Sequence, residues 1–207
     1  MSDIEQGSRE WLEEKSGAIT GTRAHELMSS AITRRTLMAS LVRELVTADR
    51  KQTFQTPAMK RGLDIEREAV SYYCIQNDVV VTDQLAYIES SMSPLFAASP
   101  DGLVGDFGGY EGKRLDEENH IKVLLGGLTA IPDGKKYTAQ CNWNMFITGR
   151  QWWDLHFYCE TLPDSMRSKV FRIERDPEYM DEMSLTARKL LIDLRLFLDE
   201  YGMGGLL

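Results

Sequence analysis

The chain has few of the residues that build covalent staples or imidazole and thiolate sites. Its three cysteines, Cys74, Cys141 and Cys159, are widely spaced and contain no CxxC pair, which excludes a disulfide framework and a thiolate zinc site. Four ligands are the norm for an iron–sulfur cluster, so that group is disfavoured by the same count. The three histidines, His25, His120 and His156, are scattered without HxxxH spacing. A histidine metal centre and histidine-based nucleophilic catalysis therefore lack support. No run approaches the roughly 20 apolar residues of a membrane span. The opening "MSDIEQGSREW" also lacks the basic start and apolar stretch of a secretory signal. The expectation is a soluble, cytoplasmic protein with reduced cysteines and no membrane partner.

Positive charge is in deficit as well. Lys and Arg number 24 against 32 Asp and Glu, a formal net charge of −8. That balance argues against a protein coated in a polyanion, because such binding draws on cations that neutralise phosphates, although it leaves room for a local basic channel. No low-complexity tract, internal repeat or linker interrupts the sequence. Its length suits one domain, residues 1–207, with a full hydrophobic core.

Periodicity orders the elements. From Thr33 to Lys51, Leu37, Met38, Leu41, Val42, Leu45 and Val46 form a one-sided apolar stripe, with Arg34, Arg35, Arg43 and Arg50 largely outside it. A second helix is expected over 57–76, carrying Glu66. "VVVTDQLAYIES" reads as β structure. "LFAASPDGLV" and "GGYEGKRL" read as two adjacent strands joined by a glycine-rich turn. A loop containing "GG" and "IPDGKK" follows, then a helix over "YTAQCNWNMFIT" ended by Gly149, strands at "WWDLHFYCE" and "KVFRIER", and a closing helix from Pro177 to Tyr201. The buried stripe of that last helix is read as Met183, Ala187, Leu190, Leu191, Leu194, Phe197 and Leu198. This order implies an α/β fold with a mixed central sheet.

The stretch "SPDGLVGDFGGYEGKRL" carries the chemistry. Residues two apart on a strand share a face, so Glu111 and Lys113 project together, with Asp101 at the end of the preceding strand. Two carboxylates and a backbone carbonyl are the hard oxygen donors that Mg²⁺ prefers. An isolated acid-x-lysine triplet is usually a solvated strand face. What sets this one apart is its company: Asp101 ten positions earlier (111 − 101), Glu66 on an upstream helix and Gln140 on a downstream one.

Taken together, Glu66, "SPDG" at 99–102, "EGK" at 111–113 and "AQCNWNM" from Ala139 resemble the lambda-exonuclease (YqaJ-type viral recombinase) branch of the PD-(D/E)xK nucleases. "EQGSREWLEEKSGAITGT" near the start is similar to the family's opening tryptophan and G-x-I-T signature, and "RIERDPEYM" to its late strand and turn. The resemblance implies a restriction-endonuclease-like core with helical additions at both ends. It also implies an alkaline exonuclease of a phage or prophage that acts 5′→3′ on double-stranded DNA ends, needs Mg²⁺ (with Mn²⁺ able to substitute) and leaves 3′ overhangs.

By that resemblance, Asp101, Glu111 and the Gly112 carbonyl bind the metal, Glu66 supports the site, Lys113 positions or activates water, and Gln140 orients groups beside it. Lys15, Thr22 and Ser99 hold the 5′-phosphate. Lys15 stands where the best-known member has arginine, without the planar fork of that residue, and Arg23 is the alternative. Gly112 stands where an apolar residue is usual. Met59 falls at a position that forms a strand-separating wedge, with a core methionine as the other reading. Arg34, Arg35, Lys60, Arg61, Arg114, Lys122, Lys135 and Lys136 are candidates for a DNA path. One of Trp152 and Trp153 is expected in the core and the other at the surface. The resemblance further implies a ring-shaped homotrimer and a single-strand annealing protein as partner. The alternatives are a related PD-(D/E)xK endonuclease, a RecB-like exonuclease, or a catalytically silent DNA-binding subunit.

Overall fold

Alternation of side chains along two neighbouring strands generates the centre of the structure. The computed structural model describes residues 17–47, 57–83 and 87–207, with backbone alone over 57–65. Helices α1 (Gly21–Leu27), α2 (Ala31–Thr47) and α3 (Pro57–Asn77) come first. They are followed by β1 (Val81–Thr82), β2 (Ile88–Ser90), β3 (Ser93–Ala98), β4 (Gly102–Val104) and β5 (Gly108–Arg114). Helix α4 (Glu117–Gly126) and a 3₁₀ turn (Gly127–Ala130) lead to α5 (Gly134–Thr148), β6 (Trp152–Tyr158), β7 (Ser168–Glu174) and α6 (Pro177–Glu200).

The main sheet has the order β1-β4-β5-β6-β7. Strands β5 and β6 are parallel, and the other pairs are antiparallel, so the sheet is mixed as the sequence order implies. On β6, Trp153, Leu155 and Phe157 pack with Cys141 and Met145 of α5. On the opposite face, Tyr110 of β5 packs with Tyr73 of α3. Gly108 and Gly109 lie beside Trp152 and Trp153 in the register, and a Cβ on either would fall within 2.4 Å of an indole ring. Trp153 is fully buried. Trp152 is half-buried, with the Arg172 guanidinium 3.7 Å above its ring.

Two expectations are corrected. "LFAASPDGLV" is not one strand. β3 pairs with β2 in a separate two-stranded sheet and bridges Ile19, while β4 enters the main sheet. The break falls at Pro100, which has no N–H to give a ladder and sits between the two strands. The segment read as a loop after β5 contains α4, whose first turn is capped by Asp116 accepting from Asn119 N at 2.8 Å.

The remaining helices follow their patterns. Helix α5 ends at Gly149, whose φ of 73° is left-handed and whose N–H reaches Met145 O. Pro177 opens α6 behind Asp176, which caps it by accepting from Glu178 N and Tyr179 N. Its buried face holds Met180, Met183, Ala187, Leu190, Leu194 and Leu198, whereas Phe197 from the expected stripe is 38% exposed. Helix α2 buries Leu37 and Leu41 and also Glu44. The Arg23 guanidinium of α1 forms a two-pronged ion pair with Glu44, and Glu44 also accepts from Gly17 N at 3.1 Å.

Candidate active site

The end of the β4–β5 ladder forms the site. Gly102 pairs with Tyr110, so the next partner for Gly112 along β5 would be Pro100, where β4 has already stopped. The Asp101 side chain replaces that backbone acceptor, with Oδ2 receiving the Gly112 N–H at 2.9 Å. One carboxylate is thereby fixed at the strand end, directly beside the backbone of the "EGK" segment.

Glu111 and Lys113 leave β5 on the face covered by α5. Glu111 is 1% exposed and its carboxylate is held by three donors. Oε1 accepts from Lys113 Nζ at 2.6 Å and Gln140 Nε2 at 2.5 Å; Oε2 accepts from Asn144 Nδ2 at 3.2 Å. Gln140 and Asn144 lie four residues apart, hence on one face of α5. The close approach of α1 depends on Gly21, where a Cβ would come within 2.7 Å of Gln140 Cγ and 3.2 Å of Asn144 Oδ1. Lys113 also lies over the Tyr137 ring, 5.4 Å from its centroid.

Electrostatics couple these groups. Burial, and next the charge of Asp101, push the Glu111 carboxyl up to about 8, against the opposing pull of Lys113. Burial lowers the Lys113 ammonium, but Glu111 and then Asp101 outweigh it and hold the group above its ordinary value. Glu66 keeps solvent contact, yet its carboxyl is held above the usual range, first by partial desolvation and then by Asp101, with Lys113 opposing. Glu66, Asp101, Glu111, Lys113 and Gln140 thus belong to one interacting cluster.

This cluster fits a hard divalent cation. Burial first, and then the Asp101 charge, raise the Glu111 carboxyl against the pull of Lys113, a cost that a cation between the two carboxylates would relieve, and the donors that could face it are oxygens of Asp101, Glu111 and Gly112. Among the described residues, no group of three or more His, Cys, Asp and Glu side chains gathers as a metal cluster. Asp101, Glu111 and the Gly112 carbonyl would hold such an ion as two carboxylates and a backbone oxygen, a composition suited to an ion that retains waters.

Gly112 is explained by the other face of β5. A Cβ there would meet Tyr110 Oη at 3.0 Å, so the tyrosine two residues back fills the space of a side chain. Tyr110 Oη is paired with His156 Nδ1 at 2.9 Å, and His156 Nε2 with Ser168 Oγ at 2.9 Å. Beside them, Asp154 accepts from Tyr73 Oη at 2.6 Å and twice from Arg172 at 2.8 Å. His120 and His156 are packing residues, both fully buried.

The residues assigned to a 5′-phosphate fall in two groups. Ile19 bridges Phe96 in parallel, and Thr22 and Ser99 each follow three residues later (22 − 19 and 99 − 96), leaving the pairing at the same end. Thr22 is exposed and Ser99 half-buried. Lys15 lies outside the described residues, as do the side chains of Met59, Lys60 and Arg61. Arg23 is engaged by Glu44, Ser40 Oγ and the Ala18 carbonyl, a structural role between α1 and α2. Arg114 pairs with Glu160 and Lys122 with Glu118, while Lys135 and Lys136 are exposed at the start of α5. Asn144 was not singled out from the sequence; its position one turn after Gln140 was the available signal.

No curated protein matches the chain. Among solved structures, the alkaline exonuclease LHK-Exo from Laribacter hongkongensis is 32% identical, with a TM-score of 0.80 over 94% of this chain and 96% of that one. LHK-Exo in complex with dAMP matches with the same identity, TM-score and coverage. A phage-related exonuclease from Haemophilus somnus 129PT, 11% identical, has a TM-score of 0.73 over 89% of this chain and 96% of that one, a likeness of fold. The architecture is restriction-endonuclease-like. The YqaJ-like viral recombinase domain matches residues 10–151, and the chain belongs to that family.

Proposed function

We propose that this protein is a Mg²⁺-dependent 5′→3′ exonuclease of double-stranded DNA ends that releases 5′-mononucleotides and leaves 3′ single-stranded overhangs for phage-type recombination. The observation that carries this reading is the convergence of Asp101, Glu111, Lys113 and Gln140 at one strand end. The 32% identity to a protein described as an alkaline exonuclease supports it.

In this reading Asp101, Glu111 and the Gly112 carbonyl hold Mg²⁺. A bound ion would polarise the phosphoryl group, favour deprotonation of the attacking water and take up charge on the leaving oxygen. Lys113, anchored by Glu111, orients the attacking water and offsets developing negative charge. Gln140 steadies the Glu111 carboxylate, and Glu66 adds negative charge at the rim that favours a cation. Thr22 and Ser99, with Lys15, receive the 5′-phosphate. Nothing in the motifs reads bases, so recognition rests on the backbone and the duplex end. A ring-shaped homotrimer and a single-strand annealing partner complete the proposal, on the strength of family resemblance alone.

The test uses linear duplex DNA with one fluorophore per strand and 5′ ends either phosphorylated or bare. Stepwise, Mg²⁺-dependent loss from phosphorylated 5′ ends is expected. Lys113→Ala should lower the rate at least about a hundredfold, the scale for a lost electrostatic contact in a transition state, while leaving DNA binding intact. Internal cuts would identify an endonuclease, loss from 3′ ends a RecB-like enzyme, and binding without cleavage a silent subunit.

A further inference from the structure

The hydrogen bonds to Glu111 are unequal between its two oxygens. A carboxylate oxygen has about two in-plane acceptor directions. Oε1 fills both, with Lys113 Nζ at 2.6 Å and Gln140 Nε2 at 2.5 Å. Oε2 accepts one hydrogen bond among the described residues, from Asn144 Nδ2 at 3.2 Å. The direction left for a ligand therefore belongs to Oε2, and Asn144 is the group that orients it.

Asn144 is 1% exposed, and its Oδ1 is buried without a hydrogen-bond partner. An amide oxygen in that state has lost its water and gained nothing in return, so at a position serving packing alone an apolar residue of similar volume would be the more stable choice. Unsatisfied buried groups call for an explanation of this kind. Here the NH₂ end of the amide explains the residue and the oxygen end bears the cost.

We propose that Asn144 is a positioning residue that aims Glu111 Oε2 at the divalent cation, an inference that rests on the nuclease reading above. The terminal torsion of glutamate is broad. With Oε1 pinned by Lys113 and Gln140, the remaining freedom is a swing of Oε2, and Asn144 closes it from a rigid helix. Removing a group that holds a metal ligand in place typically changes metal affinity or activity by about 10- to 100-fold.

The experiment is calorimetric titration of Mn²⁺ into the full chain without DNA, with thermal melts and the Mg²⁺ dependence of duplex cleavage alongside. Asn144→Leu is expected to weaken Mn²⁺ binding about tenfold or more, to raise the Mg²⁺ concentration for half-maximal cleavage by a similar factor, and to melt below wild type while remaining folded, because the buried Glu111 Oε2 loses its donor. Asn144→Ala, which cannot overpack, should show the same loss of affinity. A folded variant whose Mn²⁺ affinity stays within about twofold of wild type overturns the assignment, as does failure of both variants to fold, which would make the residue structural. If wild type binds Mn²⁺ and digests DNA while the variants match it, only the role of Asn144 falls. If wild type does neither, the nuclease reading falls and takes this inference with it.

Discussion

His156 shows how a single residue links the back of the site to stability. Its ring is fully buried between Tyr110 and Ser168, and burial first, then the nearby His120, lower its pKa to about 4 against the attraction of Asp154. On unfolding it regains its ordinary value near 6.5. Between those values the unfolded chain takes up a proton that the folded one refuses. The contribution is therefore complete above pH 6.5 and lost as pH falls toward 4. The shift of 2.5 (6.5 − 4) corresponds to about 3 kcal/mol. Glu111 works with the opposite sign, because a carboxyl raised from 4.5 to about 8 loses its contribution as pH rises through that window. The His156 term is thus the difference between wild type and His156→Asn. Urea unfolding at pH 5 and pH 7.5 should show wild type losing stability toward acid relative to the variant, and parallel curves would sink the idea. Such a pair was not legible beforehand, since neither the histidine nor Glu111 carries a burial label in the sequence. Asp101, Glu111 and Lys113 were legible, because spacing of two on a strand and a turn ahead of it are local properties.

At the scale of elements, the doubled glycine of β5 matters as much as the charged motif. Gly109 lies against Trp153, where a new Cβ would be 2.4 Å from the ring, and Trp153 is fully buried with no room to yield. Gly108→Ala faces an even shorter separation, 2.1 Å from Trp152, but that ring is half-buried and covered by the exposed Arg172 side chain. Gly109→Ala is therefore expected to cost about 3 kcal/mol or more, the upper range for overpacking, and Gly108→Ala distinctly less. Urea midpoints for the two variants decide it, and a reversed order would show that the outer tryptophan is the more rigidly held. Helix α4 was legible in hindsight. Asp116 followed by Glu117, Glu118 and Asn119 is a helix-start pattern, and Gly127 stops the helix with φ 67°, although the glycine pair by itself favours a loop. The division of "LFAASPDGLV" was less accessible, because Pro100 reports a break without saying that the two halves join different sheets.

For the whole molecule, the cation proposed to lie between Asp101 and Glu111 would join the end of β4 to β5. Mg²⁺ at 100 times its Kd should stabilise the folded protein by about 2.7 kcal/mol, visible as a higher Tm than in EDTA. Asp101→Asn should abolish that rise while raising the metal-free Tm, because it removes the negative charge beside Glu111 and keeps an acceptor for Gly112 N–H. A Mg²⁺-dependent shift that survives in Asp101→Asn would remove the aspartate from the ligand set.

The sequence alone determined what depends on neighbours along the chain. This includes the amphipathic helices, the strand alternation that separates Trp152 from Trp153, and the ordered motifs that carry the family resemblance. The tertiary structure decided what depends on elements meeting. The pairing of Asp101 with Gly112 N, the contact of α5 with β5 that brings Gln140 and Asn144 to Glu111, and the engagement of Arg23 by Glu44 all join residues at least ten positions apart. The physical reason is that periodicity states which face of an element is apolar but not which polar group lies opposite it. Burial, desolvation and hydrogen-bond direction exist only once two elements are packed together.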